Sequence, residues 1–247
     1  IISGAFGEIQ YRINITPVNG VLNLENKKYT ANENDTTIKV NKNITINGQG
    51  ATLDADNKFR IMNITNGVSV TLKNINFINA KAEGDNGGAI FSNGSSVTVT
   101  NSTFINTTGY MGGAIYSNGN VTVINSTFNT PNTDESAIIY ITSSENDINV
   151  NLINNTISSN LLIYNEGGRL VSPTRLKFQN VTVEEGQNAT LTAVLTDDKG
   201  NIIGSDTPVT GKVESNDVTF PFNDTTKKFT ATYPTQAKGD YTISGNY

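Results

Sequence analysis

One phrase of this sequence occurs twice, and the repetition constrains the fold more than any other feature. Residues 87–104 read GGAIFSNGSSVTVTNSTF, and residues 112–128 read GGAIYSNGNVTVINSTF. Two weaker copies of the start of the phrase follow, AIIY at 137–140 and LLIY at 161–164, and both have lost the Gly-Gly pair. A period of about two dozen residues is typical of repeat proteins, in which each unit buries its apolar face against the next unit.

The repeat aligns residues of one type into columns. An aromatic residue preceded by isoleucine recurs at separations of 25, 24 and 24 residues. The aromatic column is Phe91, Tyr116, Tyr140 and Tyr164, and the isoleucine column is Ile90, Ile115, Ile139 and Ile163. An asparagine column, Asn74, Asn101, Asn125 and Asn154, is followed three residues later by Phe77, Phe104, Phe128 and Ile157. Columns of this kind indicate that each unit stacks directly on the previous one.

The columns indicate parallel strands instead of hairpins. Short β-branched segments separated by Gly and Asn predict strands, and the Asn-Gly pairs alone would indicate hairpins. Hairpins do not explain the register, whereas parallel pairing of successive coils about 4.8 Å apart does. Because parallel crossovers are overwhelmingly right-handed, we predict an all-β chain with a right-handed parallel β-helix of roughly six coils over about residues 35–172.

The start of the chain is expected to cap this β-helix. Phe6, Ile9 and Ile13 are spaced three and four residues apart within SGAFGEIQYRINIT (3–16), which predicts a short helix with one apolar face. A helix at this position would cover the open end of the first coil. The alternative is that the segment is simply the first strand.

The period disappears after SPTR at 172–175, and a second architecture is expected there. Alternating strands divided by polar turns predict a small immunoglobulin-like β-sandwich, and Tyr241 in GDYTIS suits a tyrosine corner. Only about six strands can be counted where such a domain has seven, so the sandwich either lacks its last strand or is a reduced form. The predicted domains are therefore residues 1–172, the capped β-helix, and residues 173–247, the sandwich.

Composition and charge limit the classes of function that the chain can have. The net charge of −5 is spread along the whole chain, which argues against a nucleic-acid partner, since that would need a clustered basic face. Cysteine is absent, which excludes disulfides and thiolate sites, and the lack of histidine removes the commonest general base and metal ligand. No apolar run approaches the ~18 residues of a membrane span. The chain begins at Ile1, so we expect a piece of a longer protein that is anchored through other parts.

Catalysis would need paired acids or metal ligands in register. A hydrolase uses two carboxylates about 5–9.5 Å apart, and a calcium-dependent lyase adds a basic residue to its acidic ligands. The available acids, Asp54 and Asp56 in LDAD and Glu83 and Asp85 in AEGD, do not recur on neighbouring coils, and Arg60 is the one arginine of the central coils. We therefore predict no catalytic residue, no cofactor and no metal site.

The aromatic column is the candidate ligand-binding site. Side chains alternate along a strand, so isoleucine and the adjacent aromatic residue cannot both face the core. If the isoleucines point inward, Phe91, Tyr116, Tyr140 and Tyr164 form an outer ladder that can hold sugars or a protein partner. With the opposite parity, the aromatic residues join the core together with Ala89, Ala114, Ile138 and Leu162.

The asparagines have two expected roles. The column Asn74, Asn101, Asn125 and Asn154 is predicted to be a structural ladder in which each amide bonds its neighbours. Several Asn-x-Ser/Thr triplets are glycan acceptors if the protein is extracellular, although a chain rich in Asn and Thr also forms them by chance. The candidate glycosylation sites are Asn43, Asn63, Asn106, Asn188 and Asn223.

The repeats resemble those of polymorphic membrane proteins and of adhesin-like proteins from methanogenic archaea. The resemblance rests on the Gly-Gly-Ala-Ile pairs, on the NSTF segments and on TTIKVNKNITINGQGATLDADN (36–57), and the C-terminal part is similar to the immunoglobulin-like modules of those proteins. It implies a pectate-lyase-like β-helix at the cell surface. We therefore expect an extracellular adhesin fragment that binds glycans or proteins on other cells; the alternatives are a polysaccharide lyase or hydrolase and a purely structural stalk.

Overall fold

The parallel stacking predicted from the repeat is present in the computed structural model of the chain, which describes residues 4–65, 67–130, 137–143, 147–158, 161–234 and 236–247. The helix α1 is Gly4–Ile15. The strands in chain order are β1 Gly20–Asn23, β2 Lys28–Thr30, β3 Ile38–Val40, β4 Ile44–Asn47, β5 Thr52–Asp54, β6 Met62–Ile64, β7 Ser69–Lys73, β8 Asn76–Ala82, β9 Ile90–Ser92, β10 Ser96–Thr100, β11 Thr103–Gly109, β12 Ile115–Ser117, β13 Val121–Ile124, β14 Thr127–Asn129, β15 Ile139–Ile141, β16 Asn149–Ile153, β17 Thr156–Ile157, β18 Ile163–Asn165, β19 Arg169–Leu170, β20 Thr174–Phe178, β21 Ala189–Asp197, β22 Ile203–Ser205, β23 Val209–Val213, β24 Asn216–Phe220, β25 Phe222–Asn223, β26 Lys228–Tyr233 and β27 Ile243–Asn246.

Three parallel sheets form a β-solenoid, to which each coil contributes one strand per sheet. Sheet A has the order β1-β4-β7-β10-β13-β16-β19, sheet B the order β17-β14-β11-β8-β5-β2, and sheet C the order β22-β18-β15-β12-β9-β6-β3. Five steps of one coil therefore separate the first and last strands of sheet B. The first coil begins at Gly20, earlier than the predicted start near residue 35. The sequence did not reveal this coil because its strands are short and lack the repeated phrase.

The repeated residue types align as the sequence columns predict. On sheet B, Phe104 pairs in register with Phe77 on one side and with Phe128 on the other. Their rings are fully buried and stack with centroid distances of 4.8 and 4.7 Å. Because identical side chains repeat at each coil, the core is a set of continuous ladders, and one apolar cluster extends from Phe6 in α1 to Phe229 in the last quarter of the chain.

Helix α1 covers the open N-terminal end of the solenoid, as predicted. Its residues Phe6, Ile9 and Ile13 are almost fully buried. The Gln10 side chain acts like a missing strand: its amide donates to the Lys39 carbonyl at 3.0 Å and accepts from the Lys39 N–H at 2.7 Å. Arg12 likewise donates to the carbonyl of Asn23 at the edge of sheet A, at 2.6 Å. The helix thus satisfies edge groups that would otherwise be open to pairing.

The glycine pairs of the repeated phrase have a steric role. Gly87 and Gly112 adopt left-handed backbone angles with φ of 69° and 72°, which side chains disfavour. A Cβ atom on Gly88 would lie 2.1 Å from the Gly113 carbonyl oxygen of the next coil. The pair therefore makes a corner and allows close approach of the coils. Ser136 and Asn160, which replace the first glycine in the later units, lie outside the described residues.

The C-terminal part forms two antiparallel sheets, one with the order β20-β21-β26-β25 and one with the order β24-β23-β27. Strand β22 does not belong to either of them. It extends sheet C, where Ile203 pairs in parallel with Ile163 and Gly204 pairs with Tyr164. A strand from the predicted second domain therefore completes the last coil of the solenoid, and the two parts share backbone hydrogen bonds as well as a core.

Candidate functional site

The aromatic column lies on the outer face of sheet C. Ile90, Ile115, Ile139 and Ile163 have no exposed surface, whereas Phe91, Tyr116, Tyr140 and Tyr164 alternate with them and are half-buried. The alternative arrangement, in which the aromatic rings face the core, is therefore wrong. Ala89, Ala114, Ile138 and Leu162 are nevertheless buried too. The sheet C strands start one residue after them, so strict alternation of sides does not apply at these corner positions.

The four rings form one continuous stack along the solenoid axis. The centroid distances are 5.1 Å from Phe91 to Tyr116, 6.0 Å from Tyr116 to Tyr140 and 5.3 Å from Tyr140 to Tyr164, with interplanar angles of 4°, 11° and 17°. Each inner ring therefore turns its two faces toward neighbouring rings. A ligand approaching from solvent meets the rims of the rings and the groups beside them.

Both ends of the stack are covered. The guanidinium carbon of Arg60 lies 4.8 Å from the centre of the Phe91 ring, in a cation–π contact. At the other end, Phe222 meets Tyr164 edge-on with a centroid distance of 5.9 Å. Gly204 makes this contact possible, because a Cβ atom there would lie 2.7 Å from Phe222 and 2.9 Å from Tyr164.

A polar column runs beside the rings and was missed by the sequence analysis. Asn93, Asn118, Thr142 and Glu166 each follow the last residue of a sheet C strand. The Asn118 amide donates to Asn93 Oδ1 at 2.7 Å, and the Thr142 hydroxyl donates to Glu166. These positions recur with the same period as the rings, so the alignment contained the signal, but the residue types differ too much to stand out.

Two tyrosine hydroxyls are held by carboxylates. Tyr140 donates to Glu166 Oε1 at 2.6 Å, and Tyr164 donates to Asp206. Burial raises the pKa of Tyr140, and its hydrogen bond to Glu166 raises that pKa further; burial and Asp206 do the same for Tyr164. The pKa of Tyr116 is also raised, first by burial and then by the charges of Glu166 and Asp85. The phenols therefore stay neutral donors at physiological pH.

The acids considered for catalysis are engaged in structural contacts. Asp54 forms an ion pair with Lys28 at 2.8 Å and accepts from Asn79 at 3.1 Å. Burial by itself would raise the pKa of Asp54, but these hydrogen bonds outweigh burial and lower it. The Arg60 guanidinium, 2.8 Å from Asp85, likewise lowers the pKa of that carboxyl. Both acids are ionised at neutral pH and poorly suited to donate a proton.

The predicted asparagine ladder occupies exposed corners. All four asparagines have left-handed φ angles between 48° and 55°, a conformation that Asn tolerates well. Amide-to-amide bonds join Asn154 to Asn125 at 2.7 Å and Asn74 to Asn47 at 3.4 Å. After Asn101, Asn125 and Asn154 the next position carries a buried polar ladder that the sequence did not reveal: the Ser102 N–H donates to Ser126 Oγ at 3.2 Å, and the Ser126 N–H donates to Asn155 Oδ1 at 3.0 Å.

The candidate glycosylation sites differ in accessibility. Asn188 and Asn223 are exposed, and Asn43 and Asn63 are half-buried. Asn106 donates through Nδ2, the atom that would carry a glycan, to Asn79 Oδ1 at 2.8 Å. Modification at Asn106 would therefore disturb an existing ladder.

Comparison of the chain with protein-family models, with curated proteins and with solved structures finds no match. Among the described residues, no helix is long and apolar enough to cross a membrane. The same residues contain no group of three or more acidic side chains placed to hold a metal ion.

Proposed function

We propose that this chain is a fragment of an extracellular, cell-surface adhesin that binds carbohydrate or protein ligands on other cells through the outer face of sheet C. The observation that carries the proposal is the outward stack of Phe91, Tyr116, Tyr140 and Tyr164. Aromatic rims offer a large contact area with little side-chain entropy to lose on binding. The flanking polar column supplies hydrogen-bonding groups along the same line.

The rigidity of the site supports a binding role. Each ring sits on a strand whose neighbouring residue is locked in the core, and the stack is covered at both ends. A preformed surface avoids much of the ordering cost of association. Display of many copies on a cell would make individually weak contacts effective together.

The proposal includes the handedness of the solenoid and the fold of the C-terminal part. We take the solenoid as right-handed, because parallel crossovers are so in about 98% of cases. We take the C-terminal part, residues 173–247, as an immunoglobulin-like spacer, supported by its two antiparallel sheets and by Tyr241. The Tyr241 hydroxyl donates to the Ala237 carbonyl, four residues upstream, at 2.7 Å, as in a tyrosine corner.

The experiment is a whole-cell and glycan binding screen of the wild-type chain beside the double variant Tyr116→Ala/Tyr140→Ala. A matched control, Thr98→Ala/Thr122→Ala, alters the outer face of sheet A in the same two coils. We expect the aromatic variant to lose binding and the threonine variant to keep it. Equal binding by all three proteins would refute the proposed binding face. Release of products from a polysaccharide would favour an enzyme, and absence of binding to any ligand in the screen would favour a structural stalk.

A further inference from the structure

The carboxylates along the ring stack differ in how their charge is neutralised. At the Phe91 end, Asp85 pairs with the Arg60 guanidinium at 2.8 Å while that guanidinium covers the ring. At the Tyr164 end, Glu166 and Asp206 accept hydrogen bonds from tyrosine hydroxyls, yet no ion pair within the described part of the chain includes either of them. One end of the face thus contains its own cation, and the other end has acids and rings without one.

The charge toward the Tyr164 end of this face is negative. The charges that raise the pKa values of the Tyr116, Tyr140 and Tyr164 hydroxyls include four carboxylates, those of Asp85, Glu166, Asp206 and Asp224. Asp85 is neutralised by Arg60, so the remaining charge is concentrated toward the Tyr164 end. The chain as a whole carries a net charge of −5. A cationic partner is therefore attracted to the face and steered toward that end.

The shape of the face decides which cationic group fits. The inner rings turn their faces toward one another, so a neutral sugar finds no free ring face on which to stack. The rims remain, and they offer an apolar strip against which the aliphatic stem of Lys or Arg can lie while its charged head reaches a carboxylate. The hydroxyl donors already hold Glu166 and Asp206 in place, which lowers the cost of ordering them for a ligand.

Resting on the proposed adhesin function, we propose that the Tyr140–Tyr164 end of the sheet C face is a docking site for a basic segment of a partner protein. Glu166 and Asp206 receive its lysine or arginine side chains, and the tyrosine rims receive the aliphatic stems. The contact at Arg60, Phe91 and Asp85 is the internal counterpart of this arrangement.

The test measures binding of a fluorescently labelled ten-residue oligolysine to the full chain at low and at moderate salt. The variant is Glu166→Gln/Asp206→Asn, which preserves shape and still accepts the tyrosine hydroxyls. The matched control, Glu184→Gln/Asp240→Asn, removes the same two charges from exposed positions outside sheet C. We expect the site variant to weaken binding by at least about tenfold, the order of one or two charge-assisted hydrogen bonds, and the control by less than about twofold. Circular dichroism and a thermal melt verify that both variants fold.

Several outcomes would overturn the proposal. Equal weakening by the site and control variants would mean that oligolysine responds only to net charge, and no binding by the wild-type chain would exclude a basic partner. Tighter binding of a protonated glucosamine oligomer, with the same dependence on Glu166 and Asp206, would assign the site to an amino sugar instead of a protein. If Tyr116→Ala/Tyr140→Ala abolishes cell binding while Glu166→Gln/Asp206→Asn leaves it intact, this inference fails and the adhesin proposal stands.

Discussion

Replacing Phe104 by alanine is expected to destabilise the chain far more than replacing Tyr116, although both rings sit in stacks on the same coil. Phe104 has no exposed surface and lies between two rings at 4.8 and 4.7 Å. A buried Phe→Ala change costs about 3–5 kcal/mol, and each lost ring pair adds about 0.5–1.5 kcal/mol. We therefore expect a loss of about 5 kcal/mol in the free energy of unfolding.

Tyr116 gives the matched comparison. Its ring also has two stacked neighbours, but one edge faces solvent, so removing it deletes about half of the burial term and leaves no closed cavity. The expected cost is about 2 kcal/mol. For a chain of this size, 1 kcal/mol corresponds to roughly 2–4 °C in melting temperature. Phe104→Ala should then lower the melting temperature by roughly 10–20 °C and Tyr116→Ala by roughly 4–8 °C.

The assay is thermal and urea unfolding followed by far-UV circular dichroism, with Phe104→Leu as a control that keeps most of the volume. That control should cost about 1–3 kcal/mol, mainly for the two lost ring pairs. Equal losses for Phe104→Ala and Tyr116→Ala would refute the assignment of one stack to the core and the other to the surface. A larger loss for Tyr116→Ala would reverse it.

Three further predictions concern the ends of the ring stack and the cap. Because the pKa of Tyr140 is raised in the folded state, the contribution of Tyr140 to stability should be constant below a pH of about 10 and be lost as the pH rises above that value, where the unfolded chain ionises first. Tyr140→Phe should therefore make the fall of the urea midpoint in alkali shallower, and an unchanged slope would contradict the raised pKa. Gly204→Ala should cost about 1–3 kcal/mol, because the new Cβ would lie 2.7 Å from Phe222. Gly239→Ala is the control and should cost little, because its nearest atom would be 3.8 Å away. Similar urea midpoints for the two variants would count against close packing of Gly204 on Phe222. Gln10→Ala should cost about 1–2 kcal/mol, because it leaves both backbone groups of Lys39 without their protein partner. The same unfolding curves measure this loss, and Gln10→Glu should restore only the acceptor for the Lys39 N–H. A neutral effect would mean that α1 does not cap sheet C through this contact.

The sequence contained most of the solenoid because a parallel stack forces like residues into columns. The phenylalanines at 77, 104 and 128 and the isoleucines at 90 and 115 recur at intervals of 24 to 27 residues, and the structure pairs them in register. The spacing of Phe6, Ile9 and Ile13 likewise predicted the helix. These features depend on local pattern alone, and the pattern is strong.

Other features depend on contacts that no local pattern records. The orientation of Tyr116 stayed open because Ala114 and Ile115 are both apolar, and only the position of the corner shows that both are buried. Strand β22 pairs with the last coil, but it keeps only the isoleucine and serine of the repeated Ile-aromatic-Ser and has Gly204 in place of the ring, which is too little to recognise from the sequence. Glu166 became recognisable only when its hydrogen bond with Tyr140 placed it beside the rings.

The proposed binding face requires that the rings of the aromatic column present their rims to solvent while the sheet B phenylalanines do not; the column is Phe91, Tyr116, Tyr140 and Tyr164. Hydroxyl-radical footprinting of the folded chain, read by mass spectrometry, tests this without any ligand. We expect Tyr116 and Tyr140 to be oxidised readily, whereas Phe104 and Phe128 should react only after unfolding. Protection of the tyrosines together with oxidation of Phe104 in the native chain would contradict this expectation.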